Sequence, residues 1–172
     1  MIEILRNRRS VRSFLHKQVE QEKIEIIIES ALRSPTSRNL KPTEFILVKE
    51  RETLELLGKV KAHGAEFLKN ANFAVVVIAD TLKSDTCIED ASIASIVMQL
   101  TAEGLGLGSC WAQIRLRFDE NGVSAEDNVR KILKVPENYL VESIIGFGYP
   151  KYKPKSIPLE DLSFDKVRKE KF

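Results

Sequence analysis

The chain of 172 residues is long enough for one core-bearing domain, or for one subunit of a larger whole. It is 43% hydrophobic and 30% charged, a composition that excludes a disordered chain. Its 27 basic and 25 acidic residues leave a net charge of only +2, which argues against a nucleic-acid protein working by bulk phosphate neutralisation.

Residues 2–8 predict a short helix. The stretch "RNRRSVRSF", 6–14, follows and places four arginines within seven positions. Cations there suit a helix C-terminus. From Ser10 onward the pattern predicts an extended segment, with Ser10, Arg12 and Phe14 on one face and Val11, Ser13 and Leu15 on the other. A hydroxyl and guanidinium groups sharing one face can grip a single phosphate.

Ile24, Ile27, Ile28, Ala31 and Leu32 keep a helical period and predict a helix over 20–33. "SPTSRNLKP", 34–42, is dense in turn formers and predicts a loop stiffened by Pro35 and Pro42. Thr36, Ser37 and Asn39 could present hydroxyl and amide groups to a polar heteroaromatic edge. A strand is expected at 43–49, then helical structure over 51–69 broken near Gly58 and Gly64. "FAVVVIA", 73–79, reads as a strand covered on both faces.

The longest helix is expected at 85–103. Its 91–102 segment is apolar on every side and needs a cover, which a partner subunit would supply. Twelve residues are too few to span a bilayer. "EGLGLGS", 103–109, follows a helix and leads into a strand, the reverse of a dinucleotide-binding glycine loop, so Gly104 is expected in a left-handed cap. Strands at 109–114 and 140–148 flank a helix at 124–134. The tail 150–172 carries Pro150, Pro154 and Pro158, and Lys151, Lys153 and Lys155 alternate along it.

These elements predict an α+β fold, a central sheet packed by helices. Cys87 and Cys110 read as buried free thiols, and with no signal-peptide pattern they suggest a cytoplasmic protein. No acids or histidines have metal-ligand spacing, and no residue stands out as a general base. If the chain is an enzyme, a cofactor carries the chemistry.

Four stretches in this order resemble the nitroreductase family of flavin oxidoreductases: "RRSVRSF" at 8–14, "SPTSRNLKP" at 34–42, "DASIASIVMQLTAEGLGLGSCW" at 90–111 and "IIGFGYP" at 144–150. The resemblance implies a mostly antiparallel sheet flanked by helices in an intertwined homodimer, with FMN held between the subunits. It places Arg8, Arg9 and Ser10 at the phosphate and ribityl chain, and Arg12 at the flavin pyrimidine edge. Pro35, Thr36, Ser37 and Asn39 would come from the other subunit. Trp111, Ala112 and Gln113 would pass the flavin, with the Gln113 backbone near N5, and Lys153 or Lys155 would complete the phosphate site. Lys41 stands where the family often has glutamine, and Gln113 where it has an acid.

The expected organisation is one domain over 1–150 and an extension over 151–172 that packs on the domain or on the partner. The expected activity is ping-pong electron transfer from NADH or NADPH to a small acceptor such as a nitroaromatic or quinone, with no metal, nucleic acid or membrane involved. An FMN-binding protein without turnover is the alternative. A nucleic-acid module built on 6–17 would need aromatic residues interleaved with its cations, and only Phe14 is there.

Overall fold

The computed structural model describes residues 1–172. Its sheet has four antiparallel strands, β1 (Thr43–Val48), β2 (Phe73–Asp80), β3 (Gly108–Gln113) and β4 (Tyr139–Gly148), in spatial order β1-β2-β4-β3. All eight residues of β2 are buried, which for Phe73–Ala79 follows from an unbroken apolar, β-branched run in the middle of the sheet.

Two apolar layers sandwich the sheet. On one face, α3 (Arg51–Leu57), a short 3-10 turn (Glu66–Asn70) and α5 (Ala125–Leu133) pack with Val11 and Phe14 against Val76, Ala112 and Ile144. On the other, α2 (Gln21–Leu32) and α4 (Cys87–Gly104) cover Val75, Val77, Ile145 and Phe147. Ile24, Ile27 and Ala31 are the buried stripe of α2, at the expected helical spacing. α4 buries mostly small residues, Ala91, Ala94, Ser95 and Ala102, which let its backbone approach the sheet. Its opposite side keeps Ile93 and Ile96 exposed, beside half-buried Val97 and Leu100. The all-round apolar helix is therefore covered on one side only within the chain.

β4 changes phase near its start. Val77 pairs with Ser143 and Ile78 with Val141, so Glu142 is an extra residue opposite no partner, a β-bulge.

The expected elements form within two residues of their expected ends. Two local expectations fail. Strict alternation after Ser10 does not hold: Val11 and Phe14 are both buried in the same apolar cluster, and Arg12 is exposed. The segment touches the sheet only through isolated bridges, Ser10 with Ser109 and Phe14 with Pro150, so no continuous ladder enforces a period of two. Gly104 is the last helical residue rather than a left-handed cap; Gly106 takes that conformation, with φ 75°. The end of the helix packs against α1 (Ile2–Asn7), whose Ile4 Cδ1 lies 3.5 Å from where a Cβ on Gly104 would stand, an ordinary van der Waals contact.

The tail touches the domain through polar contacts at its start, the Lys151 N–H donating to the Ser13 carbonyl (2.9 Å), but buries nothing. Every residue from Lys151 to Phe172 is exposed, including Ile157, Leu159, Leu162, Phe164 and Val167.

Candidate cofactor site

β3 is an edge strand, and its free edge is the foundation of the site. Its even residues turn their backbone groups towards β4, as the Ile114 N–H does in donating to the Glu142 carbonyl (3.1 Å). Its odd residues face outward: the Ser109 carbonyl accepts the Val11 N–H (2.9 Å). The alternation leaves Trp111 and Gln113 presenting backbone donors and acceptors to whatever lies along the edge. Ala112 does not: its side chain is in the core and its backbone faces β4.

Residues 8–12 run along the start of this edge. Arg8 ends α1 in an extended conformation (φ −60°, ψ 131°), which turns the chain towards β3. Gly108 admits the close approach: a Cβ there would lie 2.8 Å from the Val11 side chain. The result gathers Arg8, Ser10 and Arg12 around the buried Cys110 thiol. Burial pushes that thiol's pKa up, against the pull of the Arg12, Lys61 and Arg8 charges and the Ser10 hydroxyl. It is held protonated and is not a nucleophile.

Lys61 is the residue the sequence pattern did not single out. It is half-buried, from the loop after α3, and its charge faces Cys110 beside Arg12. Burial first, and the Arg117 charge second, lower its pKa. Lys59 and Lys61 both fall between Gly58 and Gly64 without a motif, and only the fold sets Lys61 apart by bringing it to Cys110 beside Arg12.

Neither Arg8, Arg12 nor Lys61 pairs with a carboxylate, whereas Arg33, Arg38, Arg115 and Arg130 all do. Lys61 and Lys59 line a cleft of about 310 Å³ together with Glu66, Asp119 and Glu120, and it includes none of residues 8–12. It is not the anion site.

The tail lysines divide. Lys153 pairs with Glu103 near the end of α4, so its charge is already matched. Lys155 has no side-chain partner, and its carbonyl accepts the Arg9 Nε–H (2.9 Å), which brings it beside Arg8 and Arg9.

The loop with Pro35, Thr36, Ser37 and Asn39 is elsewhere. Asp90 anchors it: the Ser37 N–H donates to Asp90 Oδ1 (2.9 Å), and the Lys41 N–H to Thr36 Oγ1 (3.1 Å). Arg38, Asn39 and Lys41 all have positive φ, between 50° and 55°, an uncommon concentration of left-handed backbone for non-glycine residues. Asp90 lies near the start of α4, whereas α1 and Arg8 lie at its end, beside Gly104. Fourteen residues of helix separate the two, about 21 Å. The chain brings Arg8, Ser10, Arg12, Trp111 and Gln113 to one edge and leaves Pro35–Asn39 far from its Arg8 end.

FMN fits what is present. Its phosphate needs unmatched cations and a hydroxyl, which Arg8, Ser10 and Lys155 offer; its ring needs a hydrogen-bonding edge, which β3 offers.

The model of the Nitroreductase family matches residues 5–63 and 55–149. An FMN-dependent nitroreductase of Clostridium difficile R20291 superposes with a TM-score of 0.97 at 45% identity, covering 100% of both chains. A protein of Archaeoglobus fulgidus provisionally named an NADH dehydrogenase/NAD(P)H nitroreductase is 33% identical, over 99% of this chain and 98% of its own. An FMN reductase (NADPH) of Bacillus subtilis is 26% identical over 87% of this chain and 65% of its own. With its sheet order, its edge-strand site and these matches together, the chain belongs to the nitroreductase family of oxidoreductases.

Proposed function

We infer that the protein is an FMN-dependent oxidoreductase that takes electrons from NADH or NADPH and passes them to a small acceptor such as a nitroaromatic or quinone. The observation that carries this reading is the pair of arginines without carboxylate partners, Arg8 and Arg12, gathered with Ser10 at the Cys110 stretch of the edge strand β3. Bound FMN supplies hydride and electron transfer, with donor and acceptor using its open face in turn.

The chain's own residues bind and orient. Arg8, Ser10 and Lys155 hold the phosphate, Arg9 fixes the Lys155 backbone, and Arg12 with Lys61 places positive charge at the pyrimidine end. The Trp111 and Gln113 backbone offers hydrogen bonds at the N5 side. No side chain here is an acid poised for proton transfer: Cys110 is held protonated by burial.

The site is composite. Pro35–Asn39 sits about 21 Å along α4 from the Arg8 end, so a second copy supplies that loop. The bare stripe of Ile93, Ile96, Val97 and Leu100 and the exposed apolar tail support a homodimer in which each tail packs on its partner.

The test is the absorbance spectrum of the purified protein. A flavin spectrum that bleaches with NADH or NADPH, and release of FMN on denaturation, are expected. A protein that takes up no added FMN contradicts the reading. One that binds FMN but is not reduced by either nucleotide is a binding protein without turnover.

A further inference from the structure

The bulge in β4 delivers a carboxylate to the end of the flavin edge. Glu142 is extra to the β2–β4 ladder, and its side chain is only 5% exposed. Its Oε2 accepts the Arg115 Nε–H (3.0 Å), and its Oε1 accepts the Gln113 Nε2–H (3.1 Å). The second Gln113 amide hydrogen goes to the Arg115 carbonyl (3.3 Å). Gln113 Oε1 accepts the Trp111 indole N–H (2.9 Å). The chemistry fixes the amide's orientation. Two acceptors face its nitrogen and a donor faces its oxygen, so the flipped amide would oppose like to like. Every hydrogen-bonding hydrogen of the Gln113 side chain is spent.

We propose that Glu142 is a positioning residue of the FMN site: with Arg115 it locks the Gln113 amide away from bound ligands and leaves the β3 backbone as the only donor edge there. This rests on the placement of FMN along β3. The Arg115–Glu142 pair is matched in charge, so this end of β3 adds no net charge to the edge. Removing one member unbalances it. A buried pair broken on one side leaves an uncompensated charge whose field reaches a neighbouring ligand. Glu142→Gln leaves Arg115 unopposed and favours the more negative, reduced FMN. Arg115→Gln leaves Glu142 unopposed and disfavours it.

The chain has one tryptophan, so Trp111 gives a single indole N–H signal and reports on the lock with no cofactor bound. Hydrogen exchange at that indole is measured by NMR in the ligand-free wild type and in Glu142→Gln and Glu142→Ala. Reduction potentials of the FMN-loaded wild type, Glu142→Gln, Arg115→Gln and the double variant are measured beside it. Expected are indole exchange at least about tenfold faster in Glu142→Ala, and a ratio of reduced to oxidised FMN affinity that rises in Glu142→Gln and falls in Arg115→Gln. Each shift is up to about tenfold, or ~30 mV for two electrons, and the double variant returns close to wild type. A purely structural Glu142 weakens both redox states alike in both single variants. Shifts of the same sign, absent shifts, or unchanged indole exchange overturn the proposal. A wild type that binds no FMN instead removes the placement on which it rests, while the indole arm still decides whether Glu142 holds the lock.

Discussion

Two regions lie close along β3 and treat charge in opposite ways. Towards its start, Arg8 and Arg12 act on Cys110 and neither pairs with a carboxylate, and the half-buried Lys61 adds its charge with no ion pair of its own. At its end, Arg115 meets Glu142, which is 5% exposed and itself bonded to Gln113. A paired charge shapes the protein, because its energy is spent inside the chain. An unpaired and partly buried cation costs the free protein something, and a binding site is where that cost is recovered. The contrast separates the residues that hold an anion from those that hold the edge on which it lies.

Removing a phosphate cation should produce the largest effect. Arg8→Ala should weaken FMN binding roughly 10- to 100-fold, the range of a lost charge-assisted contact, as measured by flavin fluorescence titration. Arg33→Ala is the control. Its exposed partner Glu29 makes it an ordinary helix-surface pair, so FMN affinity should not change and stability should move by less than about 0.5 kcal/mol. Equal losses in the two variants would erase the distinction.

Lys61→Met sharpens it, because its two effects have opposite signs. FMN affinity should fall several-fold, while the protein without FMN should gain stability, by at most about 1 kcal/mol given the solvent that still reaches the group. The pH dependence follows from the lowered pKa. Below that pKa, Lys61 is charged in both folded and unfolded states and the penalty is present in full. As pH climbs through it towards the ordinary lysine value, the folded state sheds its proton and the penalty fades. Thermal melts of both proteins without FMN should therefore differ most near neutral pH and converge in alkali.

The smallest effect is expected at Arg12, which is exposed. Arg12→Gln should keep FMN bound with modestly weaker affinity and lower the two-electron potential by up to ~30 mV. Arg8→Gln should weaken binding more and move the potential less, because the phosphate carries the same charge in both redox states. Potentiometric titration of the two variants decides this.

The elements of the fold were legible because their burial is periodic or complete. Ile24, Ile27 and Ala31 on α2, and the unbroken apolar run of β2, state their environment directly. The cation motif was legible as Arg8, Ser10 and Arg12 because those residues are neighbours in sequence. Lys61 was not, since nothing local distinguishes a loop lysine that the fold carries to Arg12. Glu142 was hidden by the bulge: a charge inside "LVESIIGFG" breaks the strand's pattern, and only the register shift against β2 shows where it is aimed. Strict alternation failed after Ser10 because isolated bridges do not impose a ladder's period.

The composite nature of the site is tested most directly by mixing two defective chains. Arg8→Ala disables the phosphate side. Asn39→Gly disables the distant loop while respecting its backbone, since Asn39 has φ 55° and glycine adopts that freely. Each variant alone should bind FMN poorly. After subunit exchange at equal concentrations, a heterodimer has one site with both segments intact and one with neither, so about a quarter of all sites should regain tight FMN binding. No recovery after verified exchange, or a stable monomer carrying FMN, would show that one chain builds the whole site.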